Sequence, residues 1–143
     1  MEEFVKIKHG FNVGDAINVL AGLRKFYINT GKKAVFYQVK NFPAFYYHDQ
    51  VYSTLNEEGG SVCVNDYLFD MMKSLFEAQE YIHEFKEWKG EDVDFNFDLT
   101  KDTRSAPMPY GLIHVWNEII FPELTADLSV SWIIVEEQSI KKD

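Results

Sequence analysis

The sequence predicts a single α/β domain, and three observations carry that reading. An apolar-alternating run, Phe4-Val5-Lys6-Ile7-Lys8, breaks at a glycine-containing turn from His9 to Asp15. A helical pattern resumes from Ala16 to Tyr27, and a second apolar run, Ala34-Val35-Phe36-Tyr37, follows it. A strand that passes through a turn into a helix and on to another strand is the repeating unit of α/β folds. In such folds ligands gather outside the carboxyl ends of the strands, where helix N-termini point.

The first strand is assigned to Phe4 through Lys8 and the first helix to Gly14 through Asn29. Thr30-Gly31 is a C-cap signal, with Lys32 and Lys33 just beyond it. Strand Lys33 to Val39 comes next, then an aromatic loop from Asn41 to His48, whose Pro43 disfavours helix at Phe42. Val51 to Leu55 and Ser61 to Val64 flank Asn56-Glu57-Glu58-Gly59-Gly60 and read as an inserted β-hairpin. Asn65 caps a helix from Asp66 to Gln79, with Leu68, Phe69, Met72, Leu75 and Phe76 on one stripe. Asp66 in its first turn suits the helix dipole. Tyr81 to Trp88 fits a strand, and Asp92 to Asp98 alternates Val93, Phe95 and Phe97 against polar residues. A late helix is assigned to Tyr110 through Ile120, stopped by Pro122. Trp132-Ile133-Ile134-Val135 reads as a buried strand. The expected architecture is one Rossmann-like three-layer domain over residues 1–143, with the hairpin inserted and no internal repeat or linker.

At 143 residues the chain is long enough to bury a core, and 46% hydrophobic with 16% aromatic residues excludes a disordered tail. A net charge of −9 excludes a sequence-independent nucleic-acid binder, which needs a basic surface. Cys63 stands alone, which rules out an internal disulfide and fits a reducing compartment. Within Ser61-Val62-Cys63-Val64 it reads as a small buried residue. Glu2 and Glu3 replace the basic start of a signal peptide, and no apolar run approaches the ~20 residues that span a bilayer. The expectation is a cytoplasmic protein without a membrane span.

The turn from His9 to Asp15 is the sharpest constellation of polar and glycine residues. Gly10 and Gly14 admit close approach of a ligand, and His9, Asn12 and nearby backbone N–H groups can hold an anion or a sugar hydroxyl. Asp15 reads either as a general base or as a helix cap. The Gly-x-x-x-Gly-Asp spacing is no dinucleotide fingerprint, and the turn lacks the Lys-Ser/Thr of a P-loop. Gln38 and Asn41, past the second strand, fall at the same sheet edge and join the candidate ligand-binding set. Phe42, Phe45, Tyr46 and Tyr47 form a sugar-stacking wall, a partner interface, a membrane-surface contact, which the acidic balance disfavours, or a loop folded over its own core. His9, His48, His83 and His114 show no metal-ligand spacing, and no cofactor is expected.

The run Gly14-Asp15-Ala16-Ile17-Asn18-Val19-Leu20-Ala21-Gly22-Leu23-Arg24 resembles the first loop and helix of heptosyltransferase-type glycosyltransferases. Their pattern is Gly-Asp, two apolar residues, Leu-Pro-Ala-Leu, then Arg. The resemblance extends through Lys33-Ala34-Val35-Phe36-Tyr37-Gln38 and, more faintly, Glu77-Ala78-Gln79-Glu80-Tyr81-Ile82. It covers the first of the two Rossmann-like halves of such enzymes, the arrangement called GT-B. It implies an acceptor-binding domain in which Asp15 deprotonates a sugar hydroxyl. Two departures stand out: Ala21 replaces the family's proline, and the donor-holding second half lies outside these residues. The resemblance therefore implies a donor-domain polypeptide or a homo-oligomer as partner. The rival reading is a non-catalytic binding or inhibitor protein on the same half-fold. Such a protein sequesters a nucleotide-like small molecule or blocks another protein, as phage proteins do.

Overall fold

The computed structural model describes residues 4–44, 54–98, 122–124 and 129–135. In chain order the elements are β1 (Phe4–His9), α1 (Val13–Thr30), β2 (Lys33–Gln38), α2 (Asp66–Glu77), β3 (Ile82–Glu87) and β4 (Phe95–Asn96). A 3-10 turn follows at Pro122–Leu124. The strands form one sheet in the order β3-β2-β1-β4, with every pair parallel. The chain is thus a mixed α/β unit, as the alternation of strand and helix patterns predicts.

Register explains where the core lies. The pairs Val5↔Ala34, Ile7↔Phe36 and His9↔Gln38 send their side chains to one face, because strand side chains alternate with period two. Ile7, Leu20, Leu23, Phe36, Phe76 and Phe85 are fully buried on that face, so both helices cover it. Phe36 lies 5.2 Å from Phe76 and 5.3 Å from Phe85, ring centroid to centroid. Aromatic pairs at such separations add about 0.5–1.5 kcal/mol each beyond their area burial. Right-handed crossovers that run in one direction leave their helices on the same side. The other face carries Phe4, Lys6, Lys8, Val35 and Tyr37, and Val35 and Tyr37 are buried there too. A central strand buried on both faces accounts for the unbroken apolar run of β2.

Local signals set the helix ends. Gly31 takes φ 75°, the left-handed geometry a glycine reaches at no steric cost, and its N–H bonds the Tyr27 carbonyl at 2.7 Å. Asn65 Oδ1 accepts the Leu68 N–H at 2.9 Å, a side-chain N-cap for α2. The first helix begins at Val13, one residue earlier than expected, because Asn12 holds the extended N-cap geometry.

Three segments depart from the expected elements. The inserted hairpin is represented among the described residues by two isolated antiparallel bridges, Leu55↔Ser61 and Pro43↔Val62. Its turn is closed by Asn56 Oδ1, which accepts from Glu58 N–H at 3.0 Å and Gly60 N–H at 2.8 Å. Residues Val51 to Ser53 of its first arm lie outside the described residues. Val62, Cys63 and Val64 are buried in succession, without strand alternation, and Cys63 is a free buried thiol.

The alternating run around Phe95 supplies only a two-residue strand. There the Asp94 carboxylate accepts the Lys6 N–H at 2.9 Å, and the Asp94 N–H donates to the Lys6 carbonyl at 2.8 Å. Trp132 to Val135 form no strand, and Ile134 and Val135 are exposed. Side chains tie that segment down instead. The buried Gln79 amide donates to the Ile134 carbonyl at 3.1 Å and accepts from its N–H at 2.9 Å. Trp132 Nε1 donates to the Ile17 carbonyl at 2.9 Å, and the Tyr81 hydroxyl donates to the Trp132 carbonyl. Burial pushes the Tyr81 phenol above its ordinary range, which keeps it a donor. The expected helix from Tyr110 to Ile120 lies outside the described residues. No helix among the described residues is long and apolar enough to cross a membrane.

Candidate functional site at the carboxyl edge of the sheet

Parallel strands bring their carboxyl ends to one edge. There β1 ends at His9 before α1, and β2 ends at Gln38 before the segment leading to α2. Both helix N-termini therefore sit at that edge. Asp15 is the third residue of α1 and is half-buried. Asn12 holds the N-cap position, so Asp15 is not the cap residue. It stands in the first turn, where the dipole favours a carboxylate by about 0.3–1 kcal/mol. Gly14 is exposed, and a Cβ built on it meets nothing within 4 Å. Room for a side chain at Gly14 thus lies one residue before the candidate base. Two bonds set the turn's geometry: the Ala16 N–H to the Asn12 carbonyl at 3.0 Å, and Asn18 Nδ2 to the Gly14 carbonyl at 3.2 Å.

His9 and Gln38, both expected to meet a ligand, meet each other. His9 is 1% exposed and Gln38 0%, with His9 Nδ1 3.0 Å from Gln38 Oε1. Gln38 Nε2 faces the Phe11 carbonyl at 3.4 Å and the Val39 carbonyl at 3.1 Å. An NH₂ must point at those two acceptors, so the amide oxygen faces His9 and Nδ1 carries the proton. This pair pins the loop that carries Asp15 to the end of β2. Gln38→Leu keeps the bulk and removes all three bonds, leaving the Phe11 carbonyl buried without this donor. We expect a loss of about 1–3 kcal/mol, read from the urea midpoint. An unchanged midpoint would show that the amide pins nothing.

The remaining predicted residues are spread along the edge. Asn41 is exposed at φ 58°, a left-handed conformation asparagine tolerates, and its N–H bonds the Val64 carbonyl at 2.7 Å. Phe42 is half-buried and meets Phe11 edge-on at 6.3 Å, so it belongs to the loop's own packing. Phe45, Tyr46 and Tyr47 lie outside the described residues.

Sequence reasoning missed two features of this edge. Lys8 Nζ bonds Asp98 Oδ2 at 2.9 Å and lies 4.0 Å from the Trp88 ring centroid. A Cβ at Gly10 would stand 2.8 Å from Asp98 Oδ1, so the glycine makes room for that carboxylate. The register Lys8↔Asn96 puts Asp98 on the Lys8 face just beyond β4, a juxtaposition only strand order reveals. The second feature is a cleft of about 440 Å³ at the N-terminus of α2, lined by Asn41, Asn56, Glu57, Glu58, Asp66 and Tyr67 among others. Of the predicted residues that the structure describes, only Asn41 lines it. Its carboxylates repel phosphate, although Lys40 Nζ reaches Asp66 Oδ1 at 3.4 Å. Among the described residues no three His, Cys, Asp or Glu side chains gather as a metal site. Comparison with family models, curated proteins and solved structures returns no match.

Proposed function

We propose that this chain is the acceptor-side, Rossmann-like domain of a GT-B glycosyltransferase of the heptosyltransferase type. The observation that carries the reading is Asp15, set in the first turn of α1 at the carboxyl end of β1 with open space beside Gly14. The sheet order supports it: β3-β2-β1-β4 matches the first four strands of the doubly wound order 3-2-1-4-5-6. So does the match of Gly14 to Arg24 with the family's first loop and helix.

In this reading the Asp15 carboxylate accepts the proton of an acceptor-sugar hydroxyl while that oxygen attacks the anomeric carbon of an activated sugar. The new glycosidic C–O bond forms as the bond to a nucleoside diphosphate breaks, and the diphosphate leaves with the electron pair. Asn12 and the backbone N–H groups of the first turn orient the hydroxyl. The donor sits on a second module of the two-domain arrangement.

The test is amide chemical-shift mapping by NMR with a panel of neutral and acidic sugars. At least one sugar is expected to shift the amides of Asn12, Gly14, Asp15 and Ala16 together. Shifts confined to Glu57, Glu58 and Tyr67, or none with any sugar, would overturn the reading.

A further inference from the structure

Among the described residues β3 forms one edge of the sheet, pairing with β2 alone. An open edge offers backbone N–H and C=O groups to any passing strand, and native proteins cover such groups. Here two side chains of α2 do so at a single residue. Glu77 Oε2 accepts the Phe85 N–H at 3.0 Å, and Lys73 Nζ donates to the Phe85 carbonyl at 2.9 Å. The same two groups bond each other at 2.8 Å across one helical turn. Together they present to Phe85 one acceptor and one donor, as a neighbouring strand would. Both side chains remain partly exposed, at 44% and 33%, so they can swing into water.

The strand beneath this latch is complementary to itself. In an antiparallel pair centred on Phe85, each Phe85 exchanges both backbone bonds with its counterpart, using the groups Lys73 and Glu77 now hold. That register sets Glu84 opposite Lys86 of the second copy, and Lys86 opposite its Glu84. Opposite charges facing each other stabilise a strand pair, whereas like charges destabilise it. Glu84 and Lys86 already share a side of β3, with Lys86 Nζ 3.7 Å from Glu84 Oε2. A two-fold axis through Phe85 would build a four-charge cluster from them.

We propose that the β3 edge is a self-pairing surface for a second copy of this chain, held closed by the Lys73–Glu77 latch. Burial pushes the Glu77 carboxyl up, but its bonds to Lys73 and the Phe85 N–H, with the Lys73 charge, hold it below its ordinary value. The latch is therefore charged and closed at neutral pH.

The proposal is tested with Lys73→Ala/Glu77→Ala, which keeps strong helix formers on α2 and leaves Phe69, Met72 and Phe76 in place. Sedimentation equilibrium is expected to show the double variant at twice the mass of the wild-type species. Adding Glu84→Lys sets like charges opposite each other and is expected to abolish the shift. Adding Lys86→Glu as well restores the pairing and is expected to bring the shift back. A folded double variant with the wild-type mass at every concentration overturns the proposal, as does a shift indifferent to the charge reversals. Should circular dichroism show the double variant unfolded, Lys73→Ala alone, which frees only the Phe85 carbonyl, is expected to give a weaker shift with the same charge dependence. Its absence there counts equally against the idea.

Discussion

If the chain is the proposed acceptor-side domain, Asp15→Asn is expected to slow glycosyl transfer by about 10²–10⁴-fold, the usual contribution of a general base. The amide keeps the shape of the carboxylate but cannot take the acceptor proton. Asp15 stands in the first turn rather than at the N-cap, so the substitution forfeits a dipole interaction of about 0.3–1 kcal/mol while keeping the side chain's shape and one of its acceptor oxygens. Rate and stability are therefore both measured in this variant. Acceptor binding should persist, because Asn12 and the backbone of the turn are untouched. The decisive measurement is kcat at saturating acceptor, taken beside the urea midpoint. Full kcat in the variant would leave Asp15 a first-turn carboxylate with no chemical role. A large loss of both kcat and stability would instead make it a structural residue.

How far this site was legible follows from the range of the interactions that build it. The switch from period-two apolar residues in Phe4 to Lys8 to helical spacing after Ala16 is written within one stretch of chain. So are the Gly31 cap and the Asn65 cap, and the structure carries β1, α1, β2 and α2 close to where those signals put them. The sheet edge itself was legible for the same reason, since a strand-turn-helix unit puts its turn at the carboxyl end.

What local pattern does not encode is which polar residue finds which partner across the fold. His9 and Gln38 both read as ligand contacts, yet the register His9↔Gln38 buries them against each other. Gly10 read as a ligand approach, and its neighbour is Asp98, far along the chain. Trp132 to Val135 carry the composition of a buried strand, but Gln79 and Tyr81 hold their backbone, and the Ile17 carbonyl holds the Trp132 indole, as an irregular segment. In each case the pairing partner lies far along the chain, and a hydrophobicity pattern holds no information about it.

Gly22→Ala is the second large effect, and here the long-range contact reverses the sign that local rules predict. Glycine inside a helix costs about 1 kcal/mol relative to alanine, so helix propensity alone makes the substitution stabilising. A Cβ at Gly22, however, would stand 2.5 Å from the Leu124 carbonyl oxygen and 3.2 Å from the Leu124 Cβ. The obstacle is mainly backbone, which no rotamer change removes. Leu124 is itself 2% exposed, anchoring the 122–124 turn against α1. Overpacking of this kind costs about 1–3 kcal/mol, which outweighs the propensity gain, so a net loss is expected. Gly14→Ala is the matched control: the same helix, the same substitution, but open space around the new methyl. It should be neutral or stabilising, by up to about 1 kcal/mol. Urea denaturation of the two variants side by side separates propensity from packing. If Gly22→Ala proves as stable as Gly14→Ala, Leu124 does not press on α1 in solution. The ridge-to-backbone contact between α1 and the 122–124 turn would then contribute nothing to the stability of the domain.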